Sequence, residues 1–513
     1  MILTELLDRD VGSAIEEFLN AFAVHLDGVR PDHYVKDRPD GPFLVIQFAK
    51  PSQQHFKIHN RVVEGLGADN PFKNRSSVQA RDKAPKDRLT LPETQLLKKV
   101  ISESLTIDRN SFNENFFSRY TASVTALEHQ ITTNANFVVY GRRGAGKSSL
   151  LSYAMHTTIK NNGFFSWVAM QPFSSRSDDQ VVPAVISSIL FDLSKTSPGH
   201  DDVLKLIKEF DILSESDEKN VLLKCDRLIL RVRRAIAEFA TTKRPFTIFL
   251  DDIHVLAESI QPLVLSYIYK FGRGNNTFIK MSGITQLTNL WDGTKQIGLQ
   301  PPHDAQILNL DLNLTMPNKS KEHIFSILDA HARYCGIPNI RYLADDNVLS
   351  RLVLVAAGVP RDSLSLFSVA ISKAAARSQK LVSITSINSA ASENAEEKLK
   401  DVEKDSGDDV DSIKKILEQV QKFCISEKKV NSFLFEIKNT EARYKLIQKL
   451  IALRLLHLLH EGITPHRAGK RFIALMLDFG FYVGIRTARN IDFVPPEPRE
   501  LLAKELRSLP IFH

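Results

Sequence analysis

Gly141-Arg142-Arg143-Gly144-Ala145-Gly146-Lys147-Ser148 sets three glycines, a lysine and a hydroxyl in the spacing G-x-x-x-x-G-K-[ST]. That spacing binds phosphate. Gly141, Gly144 and Gly146 let the backbone turn tightly and aim its N–H groups at an anion. A helix starting near Lys147 adds the positive end of its dipole. Lys147 reaches the β- and γ-phosphates of a nucleotide, and the Ser148 hydroxyl ligates Mg²⁺. Arg142, Arg143, Ala145 and Ser149 complete the segment expected to line ATP.

Phosphoryl chemistry needs an acid at the end of a neighbouring strand to hold the metal. Phe246-Thr247-Ile248-Phe249-Leu250 reads as a buried strand and ends in Asp251-Asp252. Asp251 is assigned to Mg²⁺ and Asp252 to polarising the attacking water. Aspartate is one methylene shorter than glutamate, which predicts slow hydrolysis and a switch rather than a motor. The strand Thr277–Ile284 leads to Thr285, whose side chain sits where it can orient the lytic water; Ser282 is the competing candidate. Gly358-Val359-Pro360-Arg361 fixes a sharp helix entry, and Arg361 can reach back to a γ-phosphate. Taken alone, that arginine reads as a surface residue on a capped helix.

The elements that must position these groups alternate. Strands are expected at Phe137–Tyr140, Phe164–Met170, Phe246–Leu250 and Thr277–Ile284. Helical patterns run from Lys147 to about Asn161 and over 182–196, 217–240 and 255–271. Such alternation predicts a parallel sheet covered on both faces. Before it, Val11–Leu26 is helical and Phe43–Phe48 strand-like. Residues 69–94 are polar with six Lys or Arg and read as a linker or exposed arm. After the sheet, Lys319–Lys380 is mostly helical. Residues 386–411 then hold nine Asp or Glu against three Lys, which predicts a linker or mobile loop over 386–413.

At 513 residues the chain exceeds a single core, and two or three domains are expected. Its hydrophobic content of 43% and charged content of 25% are those of a water-exposed globular protein. The formal net charge of +7 permits an anionic polymer as partner. Cys225, Cys335 and Cys424 are scattered, so neither a zinc ribbon nor a disulfide framework is expected, and a cytoplasmic setting is. The first residues, MILTELLDRD, do not read as a signal peptide, and no window is apolar enough for a membrane span.

The order of these parts resembles the AAA+ ATPases, and the origin-recognition (ORC-like) branch in particular. YGRRGAGKSSLL resembles that group's phosphate loop, FLDDIHVL its metal-binding strand, SGITQL its sensor-1 strand end and AAGVPRDSLSLF its sensor-2 helix entry. The resemblance implies a P-loop (AAA+/ASCE) α/β sheet, a helical lid and a winged-helix-like α+β domain. It implies ATP and Mg²⁺ as cofactors. The expected division is 1–110, an N-terminal region and basic linker of unassigned fold; 111–315, the ATPase core; 316–385, the lid; 386–413, the acidic linker; and 414–513, the winged-helix-like domain. Two departures stand out. Aspartate–aspartate replaces the commoner aspartate–glutamate. Pro301–Asn313 holds no arginine where a neighbouring subunit's active-site arginine is expected, and neither Arg273 nor Arg333 matches that pattern. A homo-oligomer is therefore allowed but not required.

Residues 438–513 carry 13 Lys or Arg against seven Asp or Glu. A strand is expected at Val430–Ile437, a long helix at Glu441–His460 and a hairpin at about 462–483. Arg443, Lys445, Lys449 and Arg454 fall on polar positions of that helix. The basic turn Pro465–Arg471 supplies Arg467, Lys470 and Arg471. From charge alone this is a basic hairpin or a protein-binding wing. With the resemblance, it becomes a contact to double-stranded DNA. His457, His460 and His466 lack a further ligand for a metal site. The reading is an ATP-dependent DNA-binding switch in bacterial genome maintenance or defence, working with a partner effector protein. A STAND-like signalling scaffold and a transposition or replication regulator are the alternatives.

Overall fold

The computed structural model describes residues 2–39, 41–82, 87–107, 109, 113–196, 201–216, 220–310, 314, 316–405, 410–438, 441–464, 470–482, 491–494 and 497–513. The chain divides into two compact units. One comprises Ile107–Phe117 and Ala122–Asp311; the other comprises Met1–Thr106, Ser118–Thr121 and Leu312–His513. No helix among the described residues is long and apolar enough to cross a membrane.

The larger unit opens with α1 (Ile2–Val24), β1 (Asp32–Arg38), β2 (Gly41–Phe48), α2 (Gln53–Gly65), β3 (Ser76–Ala80) and α3 (Pro92–Ser104). The apolar run expected as a strand is β2, which lies between antiparallel β1 and parallel β3. The polar stretch 69–94 is built into this layer rather than hanging free, although its residues 83–86 fall outside the described ones. It contributes β3. Its Arg81 bridges Asp32 at 2.9 Å and Glu93 at 2.6 Å, and Arg88 lies over the Tyr342 ring at 4.6 Å. Arg81 and Arg88 are thus engaged by acids and an aromatic face within the fold, which a net-charge reading cannot see.

The smaller unit is a five-stranded parallel sheet. Its strands are β4 (Phe137–Tyr140), β5 (Phe164–Ala169), β6 (Phe246–Asp251), β7 (Thr277–Gly283) and β8 (Gln306–Asn309), in the order β8-β4-β7-β6-β5. Helix α4 (Lys147–Lys160) follows β4. Helices α5 (Asp178–Thr196), α6 (Asp201–Ser214) and α7 (Val221–Phe239) separate β5 from β6, and α8 (Gln261–Gly272) separates β6 from β7. Alternate side chains go to opposite faces. Val138, Ile248, Leu250 and Met281 pack with α5, α7 and α8, whereas Phe137, Val139 and Phe249 pack with Leu150, Leu151 and Ala154 of α4. This is the doubly covered α/β sheet expected from the alternating pattern.

The larger unit resumes with α9 (Pro317–Tyr334), α10 (Asp346–Val355), α11 (Pro360–Ala376) and α12 (Ile384–Asp405). These helices share one core with the N-terminal layer: Phe18, Phe22, Phe48 and Phe72 join Leu328, Leu349, Phe367 and Ile371. At Gly336 the two layers meet closely. Its φ is +85°, and a Cβ there would stand 2.9 Å from the Phe48 ring. Residues 386–413, expected as a linker, instead hold most of α12. Ile387, Ala390, Ala391, Ala395 and Lys398 are buried at helical spacing. The stripe is mostly alanine, so its apolar signal is weak beneath the acid count.

After α13 (Val410–Gln421) come β9 (Ser432–Glu436), α14 (Ala442–Ala452), β10 (Leu456–Ile463), β11 (Phe472–Leu477), α15 (Ala503–Ser508) and β12 (Ile511–Phe512). The sheet order is β10-β11-β9-β12. The helix expected to reach His460 stops at Ala452. Arg454 adopts φ +62°, a left-handed turn that ends the helix, and the following apolar run becomes β10. A short apolar run such as Leu455–Leu459 suits either element, and pairing with β11 decides it.

Candidate nucleotide site

The phosphate loop leaves β4 and enters α4. Gly144 and Gly146 have φ of +79° and +97°, a region open to glycine at little cost. Gly141 is needed for a different reason: a Cβ there would lie 3.1 Å from Ala145 Cβ and 3.3 Å from Leu310 Cβ. Gly146 is the residue before the first turn of α4, so the helix N-terminus opens on the loop. Lys147 is buried, and its Nζ donates to the Arg142 carbonyl at 3.3 Å. Arg142 is also buried; Arg143, Ala145, Ser148 and Ser149 are half-buried.

The parallel register sets the end of β6 beside β7, and β7 beside β4. Three oxygens meet there. Ser148 Oγ donates to Asp251 Oδ1 at 3.1 Å, and Ser282 Oγ donates to the same atom at 2.6 Å. The Asp252 N–H donates to Ser282 Oγ at 2.7 Å. Burial, with Asp252 adding to it, pushes the Asp251 carboxyl up to about 6, against the pull of Ser282, Ser148 and Lys147. Asp252 adopts a left-handed conformation, φ 59° and ψ 50°, which turns its side chain toward solvent at 40% exposure.

Ser282 therefore holds the position beside Asp251. Thr285 is exposed and starts a short 3₁₀ turn beyond the strand. One neighbour carries no signal in the motif: His254, whose side chain is 5% exposed, has Nδ1 3.7 Å from Asp252 Oδ1. Arg361 belongs to the larger unit. Ala357 and Gly358 have positive φ, Pro360 begins α11, and Arg361 is exposed in the first turn. Its neighbour Asp362 is buried and ion-paired with Arg454. Arg454 is thus an internal residue and not one of a polar helix face.

Of the expected DNA contacts, Arg467 lies outside the described residues, as does His466. Lys470 and Arg471 are exposed at the start of β11, and Lys470 pairs with Glu436 at 3.2 Å. His457 faces inward, 2.9 Å from Asp478, while His460 is exposed.

Residues 120–270 match the AAA ATPase domain family. No curated protein sequence matches the chain. Among solved structures, the chain is similar to the Drosophila ORC bound to DNA, at 13% identity and a TM-score of 0.37, covering 83% of this chain and 97% of that one. It is similar to the Aeropyrum pernix ORC1 protein in complex with DNA, at 15% identity and a TM-score of 0.37, covering 70% and 90%. It is also similar to Cdc6p from Pyrobaculum aerophilum, at 13% identity and a TM-score of 0.33, covering 69% and 86%. The family match, the strand order and the hydroxyl–acid cluster under the glycine loop agree: residues 120–270 of this chain form an AAA ATPase domain.

Proposed function

We propose that the chain is an ATP-hydrolysing switch that couples its nucleotide state to binding of double-stranded DNA. The observation that carries this reading is the cluster of Ser148, Asp251 and Ser282 beneath the glycine loop. Its donor set fits Mg²⁺–ATP. Ser148 and Asp251 are hard oxygen ligands 3.1 Å apart, and Asp251 is a buried acid whose charge a divalent cation would compensate. Held by Ser148 and Asp251, Mg²⁺ would supply neutralisation of charge on the phosphates. The chain's own residues do the remainder. The N–H groups of 141–149 hold the phosphates, with Lys147 at the β- and γ-positions. Asp252 orients the attacking water from its turned-out position, helped by Ser282 or Thr285. Arg361 reports the γ-phosphate. The short reach of Asp252 favours slow turnover.

The DNA side of the proposal rests on the likeness of FLDDIHVL, SGITQL and GVPR to the origin-recognition branch. The helix–hairpin sequence α14-β10-β11, with Lys470 and Arg471 at the foot of β11, supports a winged-helix-like contact with phosphates. A role in bacterial genome maintenance or defence with a separate effector protein, in the cytoplasm and with or without a homo-oligomer, is part of the same proposal. Calorimetric titration of Mg²⁺–ATP into wild type and Lys147→Ala, followed by phosphate release with and without duplex DNA, tests it. Heat of binding confined to wild type supports the site; equal binding by both proteins removes it.

A further inference from the structure

We propose that a buried network of five ionisable side chains joins the helix carrying Arg361 to the C-terminal hairpin. Asp362 and Arg454 are then the positioning residues through which nucleotide state reaches DNA. The inference rests on the switch reading above.

Asp362 directly follows Arg361 in the first turn of α11. It is ion-paired with Arg454, and its Oδ2 lies 3.5 Å from Lys398 Nζ of α12. Lys398 donates to Asp478 Oδ2 at 2.6 Å, and His457 Nε2 stands 2.9 Å from the same oxygen. The Gly480 N–H donates to the other oxygen of Asp478 at 2.9 Å. No side chain of the five exceeds 11% exposure. Despite that burial, the facing cations hold both Asp362 and Asp478 below the usual carboxylate range.

Stability alone does not call for such a network, because well-packed apolar side chains of similar volume serve as well or better. Charges add register: hydrogen-bonded ions fit one arrangement, whereas apolar surfaces slide. Two acids face two bases plus a histidine, so losing any one acid or base alone leaves a buried charge without its partner. Arg454 holds its place at the cost of a left-handed backbone, where a helix end normally takes glycine or asparagine. Its side chain is therefore held in place by the network more than by its own backbone preference.

The placement gives the network its consequence. His457 lies on β10, opposite Met476 of β11, and Asp478 follows the last residue of β11. Both are at the end of the hairpin away from the basic turn. A rotation of α11 at its first turn cannot leave Arg454 and Asp478 behind without stranding buried charge. Arg361 and the hairpin thus move together.

The test uses the full chain and Asp362→Leu/Arg454→Met, which removes one acid and one base and leaves Lys398–Asp478 paired. Lys398→Met/Asp478→Asn is the second charge-balanced pair, in case the first does not fold. Arg454→Lys is the conservative control. Affinity for labelled duplex DNA is measured with ATP and with ADP, alongside thermal unfolding and ATP affinity. Wild type is expected to bind DNA about tenfold or more tighter with ATP than with ADP. In either double variant that ratio should fall to within about twofold while ATP affinity and ADP-state DNA affinity stay within about threefold. Arg454→Lys should recover most of the ratio. A purely structural role would lower the unfolding temperature and leave the ratio intact, and that outcome overturns the inference while the switch stands. No ATP effect in wild type overturns the switch itself, and the inference with it.

Discussion

Ser282 Oγ donates to Asp251 Oδ1 at 2.6 Å and accepts the Asp252 N–H at 2.7 Å, so one hydroxyl ties both acids to the neighbouring strand. Removing it leaves Asp251 Oδ1 with Ser148 as its hydroxyl donor and takes away the acceptor of the Asp252 N–H. Ser282→Ala is expected to lower ATP turnover by about 10- to 100-fold, with ATP affinity changed by less than about threefold. Thr285→Ala, at an exposed position, should stay within about twofold of wild type. Steady-state phosphate release compares the two. A larger loss at Thr285 than at Ser282 would return the water-orienting role to Thr285.

Asp252 is the second acid, and its carboxylate is one methylene short of the commoner residue at this place. Asp252→Asn should lower single-turnover hydrolysis by at least about 100-fold while nucleotide still binds. Asp252→Glu should raise it by several fold, since the longer arm extends further toward the attacking water. A glutamate variant no faster than wild type, with binding intact, would show that reach is not what limits turnover.

Gly336 tests how the N-terminal layer and the lid helices share one core. Its φ of +85° and the Phe48 ring 2.9 Å from a built Cβ penalise any side chain twice. Gly336→Ala should cost about 2 kcal/mol or more in chemical denaturation. A cost below about 0.5 kcal/mol would mean the layers have room to separate.

His55 and His331 give this unit an acid limit. Burial lowers both from 6.5 to about 4. Between those values the unfolded chain binds more protons than the folded one, so stability rises with pH. The stabilisation is complete above about 6.5 and is lost as pH falls toward 4. Each histidine accounts for roughly 3 kcal/mol over that window. Thermal unfolding between pH 7 and pH 4 should show the loss, and His331→Gln should flatten its slope by about half. An unchanged slope in both His331→Gln and His55→Gln would place the titrating groups elsewhere.

Much of the nucleotide site was legible because its chemistry is local. Gly141 to Ser148 are consecutive across one loop and the first turn of α4, and Asp251-Asp252 close a run rich in aromatic and β-branched residues, which favours a buried strand. Ser282 was harder to place, because which residue of β7 faces Asp251 depends on the register between β6 and β7. The network of five ionisable side chains was not legible. Asp362, Lys398, Arg454, His457 and Asp478 come from distant parts of the chain, and each looks like an ordinary surface residue by type. The acidic stretch misled for a related reason: α12 buries alanines, whose helical spacing is faint beside nine acids. The end of α14 turned on one backbone angle at Arg454, and no residue type there announces it.

Binding of labelled duplex DNA, with ATP, with ADP and without nucleotide across a salt series, tests the central claim most directly. Wild type is compared with Lys147→Ala and with Lys470→Glu/Arg471→Glu. The account predicts tight binding that requires ATP, weakens steeply as salt rises and is lost in both variants. Absence of DNA binding in every nucleotide state, with ATP uptake intact, would contradict it.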